Sequence, residues 1–259
     1  MTVKLFETDA EIVNGVVIVA HGLNNKPEVM DSLIGVLVDE GFHCARLSLY
    51  RDGPSNRVAP EVLAEGWIGA VADGYYEVSE RYEGLPIYNL SYSLSALVTI
   101  SLLEARSDVT FERIVLLAPP VALTRGASLV RLLTPLARFG VVLPSAAPKE
   151  VRARSGTPLS EYAGMLRLVD KVQVLENRER LGGIRTKVFL DVDDELVRYQ
   201  GVLDWLGQNR LNSWRAEEVP DRAPDGFTYS HLMVVEKSLG QTAWMELTQE
   251  IVAHFKARV

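Results

Sequence analysis

Short apolar, β-branched runs recur along this chain, and stretches of helical spacing separate them. The run "VVIVA" at 16–20 is apolar at every position and ends at His21-Gly22. Such a strand is buried on both faces, as in a sheet that helices cover on either side. Further strands are expected at "HCARLSL" (43–49), "LPIYNL" (85–90), "RIVLLAPP" (113–120), "TKVFLDV" (186–192) and "SWRAEEVP" (213–220). Helices are expected over 28–40, 61–83, 94–105, 197–210 and 240–257. In the first of these Val29, Leu33, Val36 and Leu37 share a face, and Gly41 provides a stop. A loop rich in Gly, Pro, Ser and Asn lies at 52–60. Strand–helix alternation of this kind implies an α/β fold with a mostly parallel sheet. Ligand sites in such sheets form outside the carboxyl ends of the strands. That draws attention to the residues just after 20, 90, 119 and 192.

The rhythm breaks between 121 and 184. No clear strand is visible there, and "LVRLLTPLARFGVVLPSAAP" is amphipathic and interrupted by Pro135, Pro144 and Pro148. A helical cap inserted over the sheet is expected at 121–184, with the core formed by 1–120 and 185–259. The insertion carries ten Lys or Arg against five Asp or Glu, a balance of +5 that leaves −12 for the remainder. Its Leu129, Leu132, Leu133, Leu136, Val141, Val142 and Leu143 are candidates to line an acyl pocket, although most are expected to pack the cap onto the sheet.

Charge and composition remove several classes of function. A net charge of −7 lacks the basic footprint of a nucleic-acid-binding protein. The single cysteine, Cys44, excludes a disulfide framework and a cysteine-rich metal site. The first residues, "MTVKLFETDAEIVNG", have no apolar core of a signal peptide, and no apolar run is long enough to span a bilayer. A soluble cytoplasmic protein is expected, without metal or cofactor, and its oligomeric state is left open.

The stretch "YNLSYSLSA" (88–96) sits where a strand meets a helix and offers three serines. A serine is exposed at such a junction only if the turn is very tight, and then the residues two before and two after must be small. Ser91 is flanked by Asn89 and Ser93, and Ser95 by Ser93 and Leu97. Only Ser93, between Ser91 and Ser95, passes this test, with the helix starting at Leu94.

A serine nucleophile needs a base, and the base an acid to orient it. His21 and His43 precede the serine, and His21 is expected to hold the loop after the first core strand. His254 reads as a helix-surface residue four positions from Glu250. His231 lies in "TYSHLMVVEKSLG", between the last strand and the last helix. The acid belongs at a strand end, where "VFLDVDDELV" offers Asp191, Asp193, Asp194 and Glu195.

With these residues in the order Ser, Asp, His, the chain resembles the α/β-hydrolases of the esterase, lipase and monoacylglycerol-lipase type over nearly its whole length. "VVIVAHGLN" resembles their first core strand, "YNLSYSLSA" their nucleophile turn, "VFLDVDDELV" their acid loop and "SHLMVVEKS" their histidine loop. In that family the acid commonly stands three residues before a valine. The resemblance thus implies Asp194, followed by Val197, with Ser93 as nucleophile and His231 as base. It also implies an oxyanion hole from the backbone N–H groups of Leu94, at a helix N-terminus, and of Leu23. Asn24 and Asn25 are candidates to help polarise a substrate, although they read more simply as surface asparagines in a turn. The implied activity is cofactor-free hydrolysis of a small-molecule carboxylic ester with an apolar acyl group. The family usually places glycine where this chain has Ser91 and Ser95. The rival readings are a non-catalytic binding protein of the same fold and a hydrolase of amide, thioester or carbon–carbon bonds.

Overall fold

A computed structural model describes residues 3–50, 53–145, 147–222 and 229–257. Residues 1–2, 52 of the expected 52–60 loop, 146 of the expected cap and 228 of the histidine loop lie outside the described residues.

The apolar runs form the strands β2 (Val16–Ala20), β3 (His43–Leu47), β4 (Ile87–Tyr92), β5 (Arg113–Leu117), β8 (Arg185–Leu190) and β9 (Trp214–Glu218). With β1 (Val3–Phe6) they make one seven-stranded sheet in the order β1-β3-β2-β4-β5-β8-β9. Every pair is parallel except β1 and β3, which run antiparallel in the register Val3↔Leu47 to Phe6↔Cys44. The edge strand β1 has no counterpart in the expected elements. Its four residues are too few to show a period.

The periodic stretches become α1 (Asp31–Asp39), α2 (Pro60–Arg81), α3 (Leu94–Ala105), α7 (Tyr199–Gln208) and α9 (Gln241–Lys256), with a 3-10 turn at Pro27–Met30 ahead of α1 and the short α8 (Glu236–Leu239) ahead of α9. In α1 the buried positions are Leu33, Ile34 and Leu37. Consecutive strand residues point to opposite sides of a sheet. Tyr88 meets Phe255 of α9 at 5.2 Å between ring centroids, while Asn89 faces Thr99 of α3 at 3.4 Å. Helices therefore cover both faces. β2 and β5 are buried at every position, and ten residues of α3, from Leu94 to Leu103, are buried as well.

Two expectations need correction. The 121–184 stretch holds α4 (Arg125–Ser128), a long 3-10 segment (Leu129–Phe139), α5 (Leu159–Lys171) and α6 (Arg178–Gly183). It also holds a small antiparallel sheet of β6 (Val142–Pro144) and β7 (Gly156–Pro158). Strands of three residues carry no readable alternation. His254 is not a surface residue of α9. It is half-buried, and its Nε2 lies 3.1 Å from the Ile114 carbonyl of β5. Glu250 pairs with Lys187 of β8 instead.

Chain order reverses at β2, with β3 on one side and β4 on the other. The crevice at the carboxyl ends of β2 and β4 is the place where such a sheet gathers ligand-binding loops. Because α3 sits directly behind it, the packing of this helix sets the position of whatever follows Tyr92. Replacing fully buried Leu97 by Ala is expected to cost about 2–5 kcal/mol, read as a lower urea midpoint with an unchanged m value.

Candidate active site

Strand β4 delivers the chain to Ser93, which adopts φ 53° and ψ −115° before α3 begins at Leu94. A serine with positive φ is held there by its surroundings. Ser93 N–H donates to the Leu117 carbonyl at 2.8 Å, and the Ser93 carbonyl accepts from Ala96 and Leu97 in the first turn of α3. The loop after β2 presses against this turn. A Cβ on Gly22 would lie 2.6 Å from Asn25 Oδ1, 3.0 Å from the Tyr92 ring and 3.1 Å from Ser93 Cβ, so only glycine fits at this approach.

Three side chains meet above the sheet. Ser93 Oγ lies 2.8 Å from His231 Nε2. His231 Nδ1 lies 2.8 Å from Asp194 Oδ2 and 3.1 Å from Oδ1. With the imidazole proton on Nδ1, facing the carboxylate, Nε2 is free to accept from the serine hydroxyl. All three residues are buried. Asp194 Oδ1 also accepts from the N–H groups of Leu196 and Val197 at 2.8 and 2.9 Å, which fixes the carboxylate plane.

The other acids of this loop have different partners. Glu195 accepts from the N–H groups of Ser230 and His231 at 2.8 and 3.0 Å. Asp191 accepts from Asp193 N–H at 2.8 Å and pairs with Arg222. Asp193 is exposed. Arg222 also donates to the carbonyls of Ser230, Leu232 and Ser238. The backbone around His231 is thus gripped by a carboxylate on its N–H side and a guanidinium on its carbonyl side. Arg222 has no local sequence signal, because it follows the last strand inside an irregular segment.

No family model matches the sequence, and no curated protein is similar to it in sequence. Solved structures are similar in shape. A soluble variant of monoglyceride lipase from Saccharomyces cerevisiae superposes with a TM-score of 0.76 at 11% identity, covering 98% of this chain and 90% of that one. The monoacylglycerol lipase of Paleococcus ferrophilus gives 0.69 at 14% identity, with 98% of both chains covered. A thermostable carboxyl esterase from Bacillus coagulans gives 0.65 at 13%, covering 97% and 92%. The chain has the α/β-hydrolase fold.

That fold usually builds its nucleophile turn with glycines. Here the two replacements are buried, and both hydroxyls are engaged. Ser95 Oγ accepts from Tyr92 N–H at 2.9 Å and donates to the Ala20 carbonyl at 2.7 Å, tying the turn to the end of β2. Ser91 Oγ lies 2.7 Å from Asn89 Oδ1 and 3.0 Å from Thr99 Oγ1, tying β4 to α3. Asn89 is therefore the floor of a buried polar cluster under the turn.

The two amides expected to face a reacting oxygen belong to Leu23 and Leu94. Among the described residues neither donates a hydrogen bond. His21 fastens the loop below them. Its Nδ1 lies 2.8 Å from the Gly22 carbonyl and its Nε2 accepts from Leu49 N–H at 3.2 Å. Burial pushes this imidazole down to about 4. Asn24 and Asn25, expected at the surface, are buried instead, because residues 151–154 lie across them.

A cavity of about 260 Å³ opens on Ser93 and His231. Leu123, Val130, Leu143, Met165 and Leu196 give it an apolar wall, and among the described residues the ionisable side chains in its lining are His231 and three tyrosines, Tyr92, Tyr162 and Tyr229. Of the leucines and valines proposed for this role, Leu143 lines the cavity. Leu129, Leu132, Leu133, Leu136 and Val142 do not line it and stand exposed.

Two outcomes follow for stability. Ser95→Ala leaves the Tyr92 N–H and Ala20 carbonyl without their shared partner and is expected to cost about 1–3 kcal/mol in chemical denaturation. Burial also pushes His254 down to about 4. His21 and His254 are then neutral in the folded chain, while the unfolded chain binds their protons from about pH 6.5 downward. Stability is complete above pH 6.5 and falls as pH drops from 6.5 toward 4, by about 1.4 kcal/mol per pH unit for each histidine. Urea midpoints across that range check it, and His254→Gln should flatten the slope.

Proposed function

We propose that the chain is a serine hydrolase of carboxylic esters. The single observation that carries this reading is the unbroken path from Ser93 Oγ through His231 to Asp194, 2.8 Å at each step. The similarity in fold to lipases and esterases is consistent with it.

Ser93 attacks the ester carbonyl while His231 Nε2 takes its proton, and Asp194 holds the imidazole and offsets its positive charge. The carbonyl oxygen becomes an oxyanion facing the N–H groups of Leu23 and Leu94. His231 then gives its proton to the leaving alcohol, and an acyl group remains on Ser93. Water, deprotonated by His231, releases the acid and restores the serine.

Residues 121–184 act as a cap that encloses the acyl group, and residues 1–120 with 185–259 form the catalytic core. The apolar wall of the cavity selects an uncharged acyl group. Its volume is small by the standard of ligand pockets, which span roughly 300–1,000 Å³, and favours short or medium chains. No helix among the described residues is long and apolar enough to cross a membrane, in keeping with an enzyme that works in the cytoplasm.

Ser93→Ala is expected to lower hydrolysis of a short p-nitrophenyl ester about 10,000-fold or more without changing the circular dichroism spectrum. Asp194→Asn, which favours the wrong imidazole tautomer, should cost about 10,000-fold. A fluorophosphonate probe should label Ser93 in the intact protein. Undiminished turnover in Ser93→Ala, or no labelling of the wild type, rejects the reading in favour of a binding protein.

A further inference from the structure

Leu23 belongs to a loop that is not self-supporting. Within it the Asn25 N–H reaches the Gly22 carbonyl at 3.3 Å, and the strong bonds go elsewhere. They go to residues 150–154, more than a hundred positions away in the chain. Lys26 N–H donates to the Val151 carbonyl at 2.8 Å, and Ala153 N–H donates to the Asn24 carbonyl at 2.8 Å. Asn25 and Arg152 form an antiparallel bridge. Tyr50 O–H caps the Asn25 carbonyl at 2.5 Å.

Asn24 is the centre of this arrangement. It has φ 55°, a conformation in which Asn is favoured among non-glycine residues. Its Oδ1 accepts from Arg154 N–H at 3.1 Å and from Arg154 Nε at 3.4 Å, and its Nδ2 donates to the Arg154 carbonyl at 3.0 Å. One asparagine side chain thus satisfies both backbone groups of a residue in the other segment. Arg154 is anchored in turn. Its guanidinium donates to buried Glu161 at 2.6 Å and to Ser55 Oγ at 3.3 Å, and Glu161 accepts from Ser55 at 2.5 Å.

We propose that Asn24 and Arg154 are positioning residues that hold the Leu23 N–H where the developing oxyanion forms. The oxyanion site is then built jointly by the loop after β2 and by the cap segment 150–154, and it is complete only when that edge of the cap is seated. This rests on the ester-hydrolase reading. A donor displaced by about 1 Å can cost on the order of 100-fold in rate, and the cost falls on the transition state, where the oxygen carries its charge. Asn24 borders the cavity, but the wall that holds the acyl group is made by Leu123, Val130, Leu143, Met165 and Leu196, so substrate binding is little altered.

The test is steady-state hydrolysis of a p-nitrophenyl ester by the full chain, with Asn24→Ala, Arg154→Met and Asn24→Asp compared with wild type. Asn24→Ala and Arg154→Met should lower kcat about tenfold to 100-fold with KM within about threefold of wild type. Affinity for an alkylboronic acid, whose adduct places a negative oxygen at the same site, should fall in parallel with kcat/KM. Asn24→Asp keeps the acceptor for Arg154 N–H and the backbone preference but loses the donor to the Arg154 carbonyl, and should recover only part of kcat. A general loss of structure would lower the active fraction, seen by fluorophosphonate titration, and would spare the boronate affinity of the remaining active molecules. If Asn24→Ala does not fold, Arg154→Met, altered at a partly exposed side chain, decides the matter. An active wild type with kcat and boronate affinity unmoved in the folded variants overturns the clamp alone. A wild type with neither ester turnover nor fluorophosphonate labelling overturns the hydrolase reading and the clamp together.

Discussion

The site depends on one backbone conformation, the positive φ of Ser93. It lifts a hydroxyl out of the sheet at the carboxyl end of β4 and starts α3 one residue later. Unfavourable on its own, the conformation is sustained by bonds from three directions: the Leu117 carbonyl of β5, the first turn of α3, and Ser95 with its hydroxyl between Tyr92 and Ala20. Gly22 completes the fit by letting the loop after β2 lie against the turn. A side chain at Gly22 would push that loop off the turn.

A second constraint is electrostatic order in the loop after β8. Four acids within five residues would repel one another without separate partners. Asp194 faces His231, Glu195 accepts two amides, Asp191 is paired with Arg222 and Asp193 faces solvent. The neighbours of Asp194 therefore serve the histidine loop as well, since Glu195 and Arg222 fix the backbone that carries the imidazole. One histidine is held on both sides while its ring remains free to meet the serine.

Much of this was legible in the sequence, for identifiable reasons. Strands buried on both faces announce themselves as unbroken apolar runs, as at 16–20 and 113–117. The small residues around Ser93 report a steric requirement that any tight strand-to-helix turn imposes. Ser93 could be singled out by its small neighbours and His231 by elimination among four histidines, while Asp194 was chosen among four acids by the resemblance alone; the structure brings the three together. What escaped notice has no local signature. β1, β6 and β7 are too short to alternate. His254 turns inward because β5 offers a carbonyl. The bonds of Asn24 with Arg154 span 130 positions, and an asparagine in a turn looks the same whether or not another segment lies over it. Ser91 and Ser95 were counted for their size alone, whereas their hydroxyls also tie the turn to the end of β2 and β4 to α3.

The way the turn at Ser93 is secured bears on how the chain folds. Glycine at 91 and 95 would supply room for the turn, but would not itself hold Ser93 at a positive φ. In this chain the compensation comes from Ala20, about seventy residues earlier, and from Leu117, on the next strand. Neither is available until β2, β4 and β5 lie side by side. The bonds that sustain the turn are thus long-range ones, available only to a chain whose sheet is assembled.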